Sequence, residues 1–181
     1  MSIDWERVKV AMSLRELREL NMPTSDCVDI LYNLISDYDV KTILELGVEY
    51  GVTTRAFLLA CRDFGARLTS IDVEPPKFPI EVLGELKDYW EFIQGNDLEV
   101  EWDREVDLIF IDTIHTYDHL KAELEKYHKY ARLIVLHDTT EPRWLAKGYL
   151  KALKDFLRNH TQWEEIYLGT KHGLTLLRRK G

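Results

Sequence analysis

Residues 43–51 read ILELGVEYG, an apolar run that ends in an acid and opens into a glycine turn. The types and spacing suit ligand capture: Glu45 stands near the end of the run, and Gly47 and Gly51 bracket a tight loop before a segment of helical spacing. A strand, a glycine loop and a helix start bring backbone N–H groups and a favourable dipole to a ligand. The pattern is E-x-G-x-x-x-G and lacks the G-x-G-x-x-G that cradles a dinucleotide pyrophosphate. A carboxylate at that point suits a ligand carrying an ammonium group better than one carrying phosphates. The competing reading is a glycine turn that serves only strand–helix packing.

Further acids recur at the ends of apolar runs. Asp72 closes TSID, Asp97 follows QGN, Asp112 closes DLIFID and Asp138 follows IVLH. Each of these acids, taken alone, could be a helix cap; five in register, with Glu45, describe one ligand-facing edge. Asp72 can accept two hydrogen bonds from a ribose diol. Val73 and Pro75 offer apolar surface to a base, and Asn96 and Asp97 can reach its edge.

The elements that position these residues follow from periodicity. Two N-terminal helices are expected, Ile3–Leu20 and one running through Val28–Ile35 behind a cap at Thr24 or Ser25. Strands are expected at Thr42–Leu46, Arg67–Asp72, Trp90–Gln94, Asp107–Asp112 and Arg132–Asp138, and helices at Val52–Phe64, Ile80–Tyr89, Thr116–Tyr130 and Trp144–His160. Trp163–Leu168 and Leu174–Arg178 flank a glycine-containing turn and read as an antiparallel hairpin. The expectation is an α/β, Rossmann-like, mostly parallel seven-stranded sheet with helices on both faces, two N-terminal helices and an antiparallel C-terminal hairpin. One domain is expected, residues 1–39 forming a helical extension and 40–181 the core. Right-handed crossovers put all parallel strand ends on one edge.

At these positions the chain resembles the class I S-adenosylmethionine-dependent methyltransferases, through ELGVEYG, SID and the closing hairpin. The resemblance favours S-adenosylmethionine over NAD. It implies that Glu45, Gly47 and Gly51 surround the methionine moiety, that Asp72 and Val73 hold the nucleoside, and that Asn96 and Asp97 lie near the adenine. Asp112-Thr113-Ile114-His115-Thr116-Tyr117 and Leu136-His137-Asp138-Thr139 narrow the likeness to small-molecule O-methyltransferases, including macrolide-sugar and cephalosporin-hydroxylase-like proteins. That likeness implies Mg²⁺ ligands at Asp112 and Asp138, with His137 at a position where some members carry a carboxylate, and a base at His115. Asp112 also borders the cofactor in such a site. Neighbouring strands lie about 4.8 Å apart, so Asp112 and Asp138 would converge if their strands are adjacent; two carboxylates with open positions suit a hard cation. His137 is softer than a carboxylate, and contact with substrate, or no ligand at all, fits it equally. For His115, the alternative is a polar cap on the next helix. His119, His128, His160 and His172 read as solvated or packing residues, and the Lys/Glu run in 116–130 as a solvated face.

The expected function is methyl transfer to a hydroxyl of a small molecule. The rivals are a non-catalytic cofactor-binding protein or a subunit requiring a partner, and an NAD-dependent oxidoreductase. Thirty-two acids against 24 Lys plus Arg leave a net charge of −8, which repels phosphate backbones and argues against nucleic acid. The local exception is the tail Arg178-Arg179-Lys180. No apolar run approaches a membrane span and the charged N-terminus offers no signal peptide. Cys27 and Cys61 read as core residues of a reducing compartment, so cytoplasm is expected. A homo-oligomer is also open, the N-terminal helices serving as a lid or a dimer contact.

Overall fold

The structure is a computed structural model that describes residues 4–140 and 146–181. Its frame is a seven-stranded sheet: β1 (Thr42–Leu46), β2 (Arg67–Asp72), β3 (Trp90–Gln94), β4 (Leu108–Ile111), β5 (Leu133–His137), β6 (Trp163–Gly169) and β7 (Leu174–Arg179). The order is β3-β2-β1-β4-β5-β7-β6, with β1 to β5 mutually parallel and β7 antiparallel to both β5 and β6. Order reverses between β1 and β4, so a crevice opens beyond their C-terminal ends.

Both sheet faces are apolar, because parallel strands are covered on two sides. Ile43, Leu108, Phe110, Leu133 and Val135 face one core, with α3 (Val28–Asp37) and α4 (Val52–Phe64) over it. Leu44, Leu46, Ile109, Ile111, Ile134 and Leu136 face the other, under α5 (Tyr117–Tyr127) and α6 (Ala146–Asn159). Alternation along each strand thus splits one apolar run between two cores. Cys27 and Cys61 are free thiols in the first of these. No helix among the described residues is long and apolar enough to cross a membrane.

The N-terminal region departs from expectation. In place of one helix over 3–20 there are two short ones, α1 (Trp5–Val10) and α2 (Leu14–Arg18). Ser13 restarts the chain as an N-cap in a reciprocal capping box with Glu16. The carbonyls freed at the break are taken by the buried Arg55 of α4, whose Nη1 donates to Val8 O at 2.7 Å and Ala11 O at 2.8 Å. Neither Thr24 nor Ser25 caps α3. A 3-10 turn, Pro23–Asp26, precedes it, and Ser25 Oγ instead accepts from Met22 N. Residues 80–89 are likewise 3-10 rather than α-helical, kinked at Gly84 with φ 52°. Trp144 and residues 141–143 lie outside the described residues.

Candidate active site

The glycine loop takes its shape from close approaches. Gly47 has φ +92°, and a Cβ there would meet the Asp112 carbonyl oxygen at 2.2 Å. Gly51, at φ +65°, would place a Cβ 2.2 Å from the Phe78 ring. Only glycine gives both the positive φ and the space. Arg55 anchors the loop from below, its Nε donating to Gly51 O and its Nη2 to Tyr50 O.

Glu45 is not on the wall of either cavity at this edge of the sheet. Its side chain points into the first core, wholly buried, and accepts from Thr53 Oγ1 (2.7 Å), Thr54 Oγ1 (2.8 Å) and Ser70 Oγ (2.6 Å). Burial pushes its pKa up to about 7 despite those three donors. The expected contact with a methionine ammonium is therefore corrected. Glu45 faces the core side of β1 and pins the first turn of α4 to β2.

Asp72 and Asn96 are also partly committed to the backbone. Asp72 Oδ2 accepts from Val48 N at 2.7 Å and Glu49 N at 3.1 Å, and Oδ1 accepts from Glu74 N at 3.0 Å. Asn96 closes a local turn, accepting from Leu98 N and donating to Glu99. Both residues line a cavity of about 390 Å³ with Gly47, Val73, Asp97, Ile114 and His119. Val73 and Ile114 are more than half exposed and supply apolar surface there; Pro75 is not part of its wall.

Asp112, Thr113, Gly47, Val48 and Glu49 are shared with a second cavity of about 200 Å³, whose wall also holds Gly51, His115, His137 and Asp138. Met22, Pro23 and Thr24 of the N-terminal segment complete it. Here the strand-end residues come together as the sequence spacing implied. His115 Nε2 lies 3.3 Å from Asp112 Oδ1 and 3.5 Å from Asp138 Oδ2. His137 Nδ1 lies 3.5 Å from Asp112 Oδ1 and 3.8 Å from Asp138 Oδ1. Asp138 takes a left-handed φ of 56°, turning the chain sharply at the end of β5.

Electrostatics at this wall run opposite to those at Glu45. Burial alone would raise the Asp112 pKa, but His115 and His137 outweigh it and hold the carboxyl well below the usual range. Burial likewise works against a charged His115, yet Asp112 and Asp138 raise its pKa above the ordinary imidazole value. His137 is raised for the same reason. Thr116, not His115, caps α5, its side chain accepting from His119 N. The cap reading of His115 is thereby removed.

Three residues escaped the sequence reading. Tyr149 packs its buried ring edge-on to His115, with centroids 5.2 Å apart, and so restricts that imidazole. His172 Nδ1 reaches within 3.8 Å of Asp138 Oδ1 from the turn before β7. Glu123, assigned to a solvated face, is wholly buried, and His119 stands between it and Asp97. Helical phase could have found Glu123, which shares the apolar stripe of Leu120, Leu124 and Tyr127.

Asp112, His137 and Asp138 each offer one ligand atom, all within 4.8 Å of one another, and both ring nitrogens of His137 are enclosed with no hydrogen-bond partner among the described residues. Such a donor set fits a divalent cation.

Residues 44–139, more than half of the chain, match the family described as a methyltransferase domain. The chain belongs to that family. Among solved structures, this methyltransferase-family chain is similar to the O-methyltransferase TomG of Streptomyces achromogenes, involved in tomaymycin synthesis and solved with S-adenosylmethionine. Identity is 19%, coverage 100% of this chain and 92% of that one, and the TM-score 0.67. An O-methyltransferase from Bacillus cereus in complex with S-adenosylhomocysteine gives 19% identity, 92% and 90% coverage and a TM-score of 0.67. CalS11, a TDP-rhamnose 3′-O-methyltransferase of calicheamicin biosynthesis, gives 18%, 96% and 92%, and 0.65. At these identities the likeness establishes the fold. No curated protein matches the chain in sequence.

Proposed function

We propose that this chain transfers the methyl group of S-adenosylmethionine to a hydroxyl of a small molecule, with His115 as the base. The observation that carries the reading is the placement of His115 Nε2 between the carboxylates of Asp112 and Asp138 at the cavity wall. A hydroxyl presented to the other ring nitrogen gives up its proton to a ring that becomes an imidazolium, held through Nε2–H by two anions, which favours the transfer. Tyr149 limits the ring's rotation, so the proton is accepted at a fixed point. The sulfonium is already a good leaving group, and alignment is the main remaining demand.

The cofactor reading assigns the nucleoside to the larger cavity, with Asp72 at the ribose and Asp97 at the adenine edge. Each carboxylate oxygen accepts more than one hydrogen bond, so Asp72 can brace the loop and still receive a ribose hydroxyl. Gly47 and Gly51 let the loop backbone approach the methionine end. Asp112, His137 and Asp138 are the residues that would hold Mg²⁺ or a similar divalent cation, which would lower the pKa of the acceptor hydroxyl. The structural neighbours include a TDP-rhamnose 3′-O-methyltransferase and an O-methyltransferase involved in tomaymycin synthesis, which supports a hydroxylated natural product or sugar as acceptor.

The test is calorimetric titration with S-adenosylhomocysteine, followed by turnover of S-adenosylmethionine against a panel of sugars and phenols with added Mg²⁺. Saturable binding and acceptor-dependent formation of S-adenosylhomocysteine are expected. Absence of binding would overturn the cofactor reading, and binding without transfer to any acceptor would favour a non-catalytic binder.

A further inference from the structure

The apolar stripe of α5 is interrupted by polar side chains that converge on one residue outside the helix. Lys126 Nζ donates to Asp97 O at 2.6 Å and Tyr127 Oη donates to the same carbonyl at 2.6 Å. His119 Nε2 stands 3.4 Å from Asp97 Oδ1 and 3.5 Å from Glu123 Oε1. Positions 119, 123, 126 and 127 share one helix face. Thr113 Oγ1 closes the set by donating to Glu123 Oε1 at 2.6 Å. Glu123 is fully buried and Asp97 is 7% exposed, so these groups are removed from water. Lys126 and Tyr127 hold Asp97 by its main-chain carbonyl, and His119 stands at Oδ1, while Oδ2 is buried with no hydrogen-bond partner among the described residues; a buried carboxylate oxygen without a donor is costly.

Resting on the cofactor reading above, we infer that His119 and Glu123 are positioning residues that fix Asp97 as a hydrogen-bond acceptor and make the 390 Å³ cavity selective for a 6-aminopurine nucleoside over a 6-oxopurine one. An ionised carboxylate accepts and cannot donate. It complements the exocyclic amine of adenine and meets the 6-oxo group of hypoxanthine with two acceptors face to face. His119 Nε2 stands between Asp97 and Glu123, and Glu123 in turn keeps the imidazole aimed at Asp97. Thr113 lies on the wall of both cavities, so the network also ties the base end of the site to the segment that carries His115. A site built around a polar contact rejects the ligand that cannot make it far more strongly than an apolar slot would.

Calorimetry on the native chain and on the Glu123→Gln and His119→Gln variants, with S-adenosylhomocysteine and S-inosylhomocysteine as ligands, tests this. Glu123→Gln keeps the shape and an acceptor for Thr113, and thermal unfolding identifies any variant that has lost its fold. The native chain is expected to favour the adenine ligand by about 10⁴-fold. The ratio is expected to shrink about tenfold or more in a folded variant, through weaker binding of the adenine ligand. A merely structural role would weaken both ligands alike and leave the ratio intact. An unchanged ratio in the folded variants overturns the positioning role while leaving the cofactor reading standing; failure of the native chain to bind either ligand overturns that reading itself.

Discussion

Glu45 on β1 and Asp112 just past the neighbouring β4 are acids close to the C-terminal edge of the sheet, and they have opposite fates. Glu45 sits in the core between three hydroxyls, and burial drives its pKa to about 7. Asp112 sits one residue past β4 beside two imidazoles, which hold it ionised against the same desolvation. A carboxylate near a strand end is thus not a functional signal in itself; its partners decide. Neutral donors turn it into a structural rivet. Titratable neighbours turn it into part of a charged site that faces a cavity.

The sharpest way to break this contrast is His115→Gln. If the charged site does the chemistry, turnover falls by about 10²- to 10⁴-fold while affinity for S-adenosylhomocysteine stays within about twofold; an unchanged rate would dissolve the distinction. Glu45→Gln tests the other side through pH. The folded pKa of Glu45, about 7, is raised above the 4.5 of an unperturbed glutamate, so the fold favours the protonated acid. Its contribution is fully present below pH 4.5 and is lost as pH rises towards and through 7, by about 3 kcal/mol over that window. Denaturant unfolding at pH 4.5 and pH 8 should show the native-minus-variant difference changing by about that amount, with the native chain losing ground at high pH.

A divalent cation should separate the two acids again. At about 100 times its dissociation constant, a bound cation stabilises the fold by about 2.7 kcal/mol. Thermal scans with Mg²⁺ or Mn²⁺ should show an upward shift that Asp138→Asn abolishes and Glu45→Gln leaves intact. Ser70→Ala gives the smallest effect. Losing one of three donors to Glu45 should cost about 1–3 kcal/mol near neutral pH, measured by denaturant unfolding, without altering cofactor affinity.

Much of this was legible in the residues, for a physical reason. β1, β2, β3 and α4 begin and end where apolar periodicity and glycine placement put them, because those signals are local. The convergence of Asp112, His115, His137 and Asp138 followed from strand adjacency, which parallel topology nearly dictates. What stayed hidden depends on contacts far apart in sequence. The direction of the Glu45 side chain is settled by Thr53, Thr54 and Ser70 together. The break at residues 11–13 depends on Arg55, more than forty positions away. Glu123 looked like surface because Lys and Glu crowd around it, yet its angular position on α5 places it inward.

Arg55 also bears on how the chain can be cut. Its guanidinium draws two acceptors from the N-terminal break and two from the glycine loop, and burial leaves its pKa near 10, so it stays cationic. Pruning the molecule to residues 40–181 would strip half of those acceptors from an interior cation directly beneath the glycine loop. The segment holding Val8 and Ala11 is therefore a keystone rather than a detachable appendix, and protein engineers should graft new recognition elements elsewhere.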